Sequence, residues 1–106
     1  MVTPFDDNLN VDYDRAGLLA KRLADNGSDG IVVSGTTGES PTLTVEEKIN
    51  LYKTVCKAVP EGTSVIAGTG SYDTRASIEL TKEAEEAGVD GIMLVVPYYN
   101  RPTQEG

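Results

Sequence analysis

Apolar residues along the chain occur either in short continuous runs or in longer stretches where they recur every three or four positions. The short runs predict strands at residues 30–34, 64–68 and 91–97, because a strand covered on both faces is apolar throughout. The longer stretches predict helices between these strands, and residues 2–4 resemble the end of an earlier strand. Strands that alternate with helices predict an α/β fold with a parallel sheet.

Sequence signals mark the ends of the predicted helices. The first covers about residues 12–26 and the third about 73–87, and each is followed by a glycine suited to the left-handed C-cap conformation. Thr44 and Glu47 supply a capping box for the second helix. The apolar positions of this helix recur at helical spacing and predict its buried face. They are Val45, Ile49, Tyr52, Cys56 and Val59.

One short segment occurs twice. Gly-Ser-Asp-Gly-Ile at 27–31 returns as Gly-Val-Asp-Gly-Ile at 88–92, each time where a predicted helix leads into a predicted strand. This near-repeat favours a (β/α) barrel over an open sheet. A complete barrel takes roughly 200 to 250 residues, so residues 1–106 are expected to be one partial catalytic domain, the N-terminal half of a (β/α)8 TIM barrel with about four βα units. The polar residues after Pro102 then form the entry to a fourth helix.

Composition and charge exclude several classes of function. The formal net charge of -8 disfavours a nucleic acid or an anionic membrane as partner, because both attract basic surfaces. No apolar stretch reaches the roughly 18 residues of a membrane span and no signal peptide opens the chain, so we expect a cytoplasmic protein. The acidic group at residues 83–86 is expected to be a solvated helix face. Cys56 is the single cysteine and is expected in the core, and histidine is absent, so acid–base chemistry must use tyrosine, threonine, lysine or carboxylates.

The most informative segment for function is Gly-Thr-Thr-Gly-Glu-Ser at 35–40, directly after the first predicted strand. Small hydroxylated residues between two glycines at the carboxyl end of a buried strand leave backbone N–H groups free for a carboxylate or an enolate oxygen. No lysine follows the second glycine, so the segment differs from a nucleotide-binding phosphate loop. Taken alone, it is also compatible with an ordinary βα turn.

Three further segments favour a functional site over an ordinary turn: Val-Thr-Pro-Phe at 2–5, Ala-Gly-Thr-Gly at 67–70 and Pro-Tyr-Tyr-Asn-Arg-Pro at 97–102. Together with 35–40 and Glu47, their order and spacing resemble the dihydrodipicolinate synthase family of the pyruvate-dependent aldolase superfamily, over essentially the whole chain. The glycine–threonine motif is shared across that superfamily. The tyrosine pair followed by asparagine favours the synthases over the alternatives, N-acetylneuraminate lyase and 2-keto-3-deoxy-sugar-acid aldolases.

The resemblance implies an enzyme that condenses pyruvate with L-aspartate 4-semialdehyde on the route to diaminopimelate and lysine, without a metal or organic cofactor. It implies that the 35–40 loop receives the pyruvate carboxylate with Thr37 as the principal contact, and that Thr36 is a proton-relay threonine. Tyr99 matches a relay tyrosine that reaches across a tight dimer interface, and the usual assembly is a homotetramer of such dimers. Hydroxyl groups of this kind can relay protons without histidine.

In that family a lysine on the sixth strand forms a Schiff base with pyruvate. The five lysines of this chain fall on predicted helices, away from strand ends, so solvated surface roles are expected for all of them. They are Lys21, Lys48, Lys53, Lys57 and Lys82. We therefore expect the nucleophile beyond Gly106 and no catalysis by this chain alone. A non-catalytic half-barrel that pairs through its open edges is the alternative from a different class of function.

The resemblance also bears on regulation. Family members that are inhibited by lysine carry a histidine where Lys48 stands and a glutamate where Ala76 stands. This chain lacks the acidic group that would hold the ammonium group of the effector. The implied lysine feedback is weak or absent.

Overall fold

A computed structural model describes residues 1–106. The elements are α1 (Tyr13–Asp25), β1 (Gly30–Val33), α2 (Val45–Ala58), β2 (Ser64–Gly68), α3 (Thr74–Glu86) and β3 (Gly91–Met93), with short 3-10 helices at Thr36–Gly38 and Ser40–Thr42. The strands form one sheet in the order β1-β2-β3, and both strand pairs are parallel. The predicted succession of βα units around a parallel sheet is therefore confirmed.

The helix ends form where the sequence predicts them. Asp12 and Asp73 cap α1 and α3, each accepting a hydrogen bond from the backbone N–H three residues later. The capping box of α2 is complete, because Thr44 accepts from the backbone of Glu47 and the Glu47 carboxylate accepts from the Thr44 N–H at 2.7 Å. Local side-chain chemistry thus fixes the start of each of the three α-helices.

Two glycines end helices in the predicted left-handed conformation. Gly27 has φ 101° and Gly88 has φ 92°, values that a residue with a Cβ rarely adopts. In both cases the chain then enters a strand, β1 after Gly27 and β3 after Gly88. The near-repeat in the sequence therefore corresponds to two equivalent passages from helix to strand.

The core lies between the helices and one face of the sheet, and the buried face of α2 differs from the predicted stripe. Leu51 and Val55, which lie outside that stripe, are 0% exposed, whereas Val45 is 57% exposed. The helix packs on α1 as well as on the sheet, so its buried face is rotated and broader than a single stripe. Cys56 was predicted in the core; it packs against the core but is only half-buried.

The third strand is shorter than predicted. It ends at Met93, whose carbonyl accepts the last inter-strand hydrogen bond from the Thr69 N–H at 3.2 Å. The apolar residues that follow are exposed, Leu94 by 64% and Val96 by 78%. The prediction extended this strand to residue 97 because residues 94–97 are apolar. A strand also needs hydrogen bonds to a neighbouring strand, and β2 ends at Gly68, so no such bonds are available beyond Met93.

Neither end of the chain forms its predicted element. At residues 2–4 there is no ladder; instead the Met1 amino group donates to the Val32 carbonyl at 2.7 Å and Thr3 Oγ1 donates to the Gly38 carbonyl at 2.7 Å. Residues 102–106 make one exposed turn rather than a helix entry. A single turn without a packing surface does not offset the cost of starting a helix.

Candidate functional site

The 35–40 segment turns sharply at the carboxyl end of β1. Ser34 and Glu39, on either side of its centre, both have φ 57°, a left-handed conformation that is uncommon outside glycine. Between them the N–H groups of Gly38 and Glu39 close short turns at 2.9 and 3.0 Å onto carbonyls within the segment. A turn held in such conformations is built by the surrounding fold rather than by local preference.

The first amide groups of this segment have no partner within the chain. The N–H groups of Gly35, Thr36 and Thr37 donate to no protein acceptor. Gly35 is half-buried, and both threonines are exposed. Successive unpaired N–H groups at a turn form a concave patch of positive potential, which suits a carboxylate or another small anion.

A cavity of about 770 Å³ opens beside these amides, at the carboxyl ends of the strands. Gly35 and Thr36 line it from the segment after β1, and Gly68 and Gly70 line it from the end of β2 and the turn that follows. Active sites of (β/α) barrels lie at this end of the sheet. The cavity is thus at the position where the fold holds functional groups.

The predicted site residues do not all reach this cavity. Thr36 lines it, whereas Thr37 and Tyr99 do not. Tyr99 is 98% exposed and has φ 61°. The neighbouring Tyr98 does line the cavity, and its ring meets that of Tyr72 edge to face at 5.4 Å between centroids. Within one chain, the structure brings together the Thr36 hydroxyl and the free amides, but not Tyr99.

The predicted surface role is wrong for Lys48. Its side chain is half-buried and lines the cavity, and burial lowers the pKa of its amine. Its position explains this, because Lys48 lies one turn into the helix that directly follows the loop. The four other lysines are exposed, as predicted: Lys21, Lys53, Lys57 and Lys82.

Two buried hydroxyl groups behind the segment were not predicted as parts of the site. Ser34 is 2% exposed and its Oγ donates to Ser40 Oγ at 3.3 Å. Tyr52 is 0% exposed and its hydroxyl donates to the Gly68 carbonyl at 2.9 Å. The only sequence signal for Tyr52 was its place on the apolar stripe of α2, which indicates core packing and says nothing of its hydroxyl group.

The chain has neither a cluster of metal-binding side chains nor a helix that could span a membrane. The chain contains no group of three or more His, Cys, Asp or Glu side chains that could hold a metal ion. The acidic residues at 83, 85 and 86 are exposed on α3, as predicted for a solvated face. None of the helices combines the length and the apolar character needed to cross a bilayer.

Comparison with protein families gives one match over residues 1–106, the Dihydrodipicolinate synthetase family. The 4-hydroxy-tetrahydrodipicolinate synthase of Heliobacterium modesticaldum is 68% identical over 106 residues, which are 100% of this chain and 35% of that protein. The chain therefore spans about a third of the length of the curated relatives it matches.

Solved structures agree in fold. A dihydrodipicolinate synthase from Bacillus anthracis is 60% identical with a TM-score of 0.95, and one from Acinetobacter baumannii in complex with pyruvate is 42% identical with a TM-score of 0.95. Each of these two matches covers 100% of this chain and 36% of the synthase chain. N-acetylneuraminate lyase from Mycoplasma synoviae is less similar, at 31% identity and a TM-score of 0.88 over 99% of this chain and 37% of the lyase. These proteins are TIM barrels, which confirms that the chain has the fold of part of a (β/α)8 barrel.

Proposed function

Because this chain belongs to the dihydrodipicolinate synthetase family, we propose that residues 1–106 supply the pyruvate carboxylate site of a synthase that condenses pyruvate with L-aspartate 4-semialdehyde. The observation that carries the proposal is the row of three unpaired amides at Gly35, Thr36 and Thr37 beside the cavity. A related synthase has been crystallised with pyruvate. The product would enter the biosynthesis of diaminopimelate and lysine.

In this proposal the amides bind the pyruvate carboxylate and so fix the orientation of the keto carbon. A lysine amine attacks that carbon, water leaves, and the resulting imine makes the adjacent methyl group acidic enough to become a carbon nucleophile. The Thr36 hydroxyl is placed to pass protons during these steps. Positioning and electrostatic binding are the contributions that this chain makes.

The lysines of this chain are poor candidates for the nucleophile, because all five lie on helices rather than at a strand end. This includes Lys48, which lines the cavity from the first turns of α2. We therefore propose that the Schiff base forms on a lysine outside residues 1–106. On this basis the 106 residues alone have no synthase activity.

A chimera tests the proposal. In it these 106 residues replace the matched segment of the H. modesticaldum synthase; we refer to it as the chimeric synthase. We expect it to form product from both substrates, and borohydride with pyruvate to trap one covalent adduct. Peptide mapping should place that adduct on a lysine of the H. modesticaldum portion. A folded chimera without an adduct, or an adduct on Lys48, would contradict the proposed division of roles.

Among pyruvate aldolases, the synthases are preferred on two grounds. The synthase structures share 42% and 60% identity with this chain, against 31% for the N-acetylneuraminate lyase. The run Tyr98-Tyr99-Asn100 also favours a synthase. We further propose the assembly implied by the family, a cytoplasmic homotetramer of tight dimers. The exposure of Tyr99, which lies outside the cavity of its own chain, supports the dimer contact in this proposal.

Feedback inhibition by lysine should be weak in the chimeric synthase. Lys48 and Ala76 line one cavity, so a bound lysine would meet an amine at position 48 and a methyl group at position 76. Asp73 also lines this cavity, but it is the N-cap of α3, where its Oδ1 accepts the Ala76 N–H at 3.1 Å, and it lies three residues before the position of the glutamate found in lysine-inhibited members. Turnover measured against lysine concentration should therefore fall by less than half at submillimolar lysine.

The matched variant carries both changes, Lys48→His and Ala76→Glu. It restores the residues found in lysine-inhibited members and should gain sensitivity to lysine. Strong inhibition of the unsubstituted chimeric synthase would refute the prediction.

A further inference from the structure

Tyr52 lies directly behind the anion-binding segment, and its hydroxyl has a single acceptor. The side chain is 0% exposed, and its hydroxyl donates to the carbonyl oxygen of Gly68 at 2.9 Å. Gly68 is the last residue of β2. Burial raises the pKa of Tyr52 to about 12, so the hydroxyl keeps its proton and remains a donor at neutral pH.

The register of β1 against β2 fixes which backbone groups face each other. The Ser64 N–H donates to the Asp29 carbonyl at 2.9 Å, and Val33 is paired with Ala67. Hydrogen-bonding residues alternate along a parallel strand, so residues 29, 31 and 33 direct their backbone groups toward β2. The next residue in this series is Gly35.

Continuation of the ladder would place the Gly35 N–H on the Gly68 carbonyl, but this bond is not made. Ser34 interrupts the strand with φ 57°. The two backbones nevertheless stay in contact, since a Cβ on Gly68 would lie 2.5 Å from the Ser34 carbonyl oxygen and 3.1 Å from the Gly35 nitrogen. The Tyr52 hydroxyl instead donates the hydrogen bond that the Gly68 carbonyl does not receive from the ladder.

We propose that Tyr52 is a positioning residue for the anion-binding segment: its hydroxyl replaces the Gly35 amide at the Gly68 carbonyl and leaves that amide to the substrate carboxylate. The inference rests on the proposed function, because it assigns the freed amide to pyruvate. A buried carbonyl without a donor is unfavourable. Without the Tyr52 hydroxyl, the nearby Gly35 N–H therefore turns to the Gly68 carbonyl and is lost to the substrate.

Tyr52→Phe in the chimeric synthase removes only the hydroxyl. The KM for pyruvate should rise about tenfold, as expected for loss of one amide hydrogen bond to a carboxylate, while kcat changes little. Tyr13→Phe is the matched control, because Tyr13 is a half-buried tyrosine on α1 that does not line the cavity. It should leave the KM for pyruvate unchanged.

Hydrogen exchange of the Gly35 amide gives a readout that does not depend on turnover. Without pyruvate, this amide should exchange rapidly in the unsubstituted chimeric synthase, and Tyr52→Phe should slow its exchange. Slow exchange of the Gly35 amide in the unsubstituted chimeric synthase would overturn the proposal, because the amide would then already be bonded within the protein. This outcome can be detected without any variant. Unchanged exchange and unchanged KM in Tyr52→Phe also overturn it. If Gly35 exchanges rapidly but pyruvate does not bind, the proposed function fails instead.

Discussion

Replacing Thr36 by valine in the chimeric synthase should lower kcat by about tenfold to a thousandfold, the range expected for loss of a proton-transfer group. Valine has nearly the shape of threonine, so the change removes one hydroxyl from the cavity wall and keeps the Thr36 N–H. The carboxylate site therefore survives, and the KM for pyruvate should change little. Steady-state kinetics with pyruvate varied at saturating aldehyde separates the two constants.

Thr54→Val is the control for this experiment. Thr54 lies on α2, where its hydroxyl donates to the Asn50 carbonyl at 2.8 Å, and it does not line the cavity. Its replacement should leave kcat unchanged. Normal kcat in Thr36→Val would remove Thr36 from the proton relay, and a raised KM with normal kcat would assign it to binding alone.

Tyr99→Phe should reduce kcat by a comparable factor, although Tyr99 lies outside the cavity of its own chain. A side chain that is 98% exposed can act in catalysis only if another surface brings substrate to it. The proposed tight dimer provides that surface. The effect should therefore act on the site of the partner subunit.

Mixing the two impaired variants tests that arrangement. When Thr36→Val and Tyr99→Phe chains are unfolded together and reassembled, each mixed dimer should contain one site with both hydroxyl groups intact. Random pairing then restores roughly a quarter of the active sites, since half of the dimers are mixed and each has one intact site. If Tyr99 serves its own subunit, mixed dimers contain no intact site and activity does not return.

The parts of the fold that the sequence predicts correctly are those with local chemical causes. Asp12, Thr44 and Asp73 cap helices through hydrogen bonds within three residues, and the left-handed glycines end helices through their own backbone freedom. The end of β3 has a different cause. Leu94 is as apolar as a strand residue, but no ladder continues beside it, and that depends on a segment far away in the sequence.

The candidate site divides in the same way. The Gly35–Thr37 amides and the Thr36 hydroxyl belong to one contiguous segment, so their motif could indicate an anion site. Lys48 and Tyr52 reach the site from α2, and their roles depend on how that helix packs over the strand ends. A lysine and a tyrosine at helical spacing carry no sign of that packing, so the sequence indicated surface and core instead.

The exposed apolar residues after β3 have a consequence for how this polypeptide behaves in solution. Leu94 and Val96 directly follow β3, which is an edge strand of the parallel sheet, and both side chains are exposed in residues 1–106. Edges of this kind pair with other chains and promote aggregation. We therefore expect these few side chains to limit the solubility of the 106 residues as an isolated polypeptide.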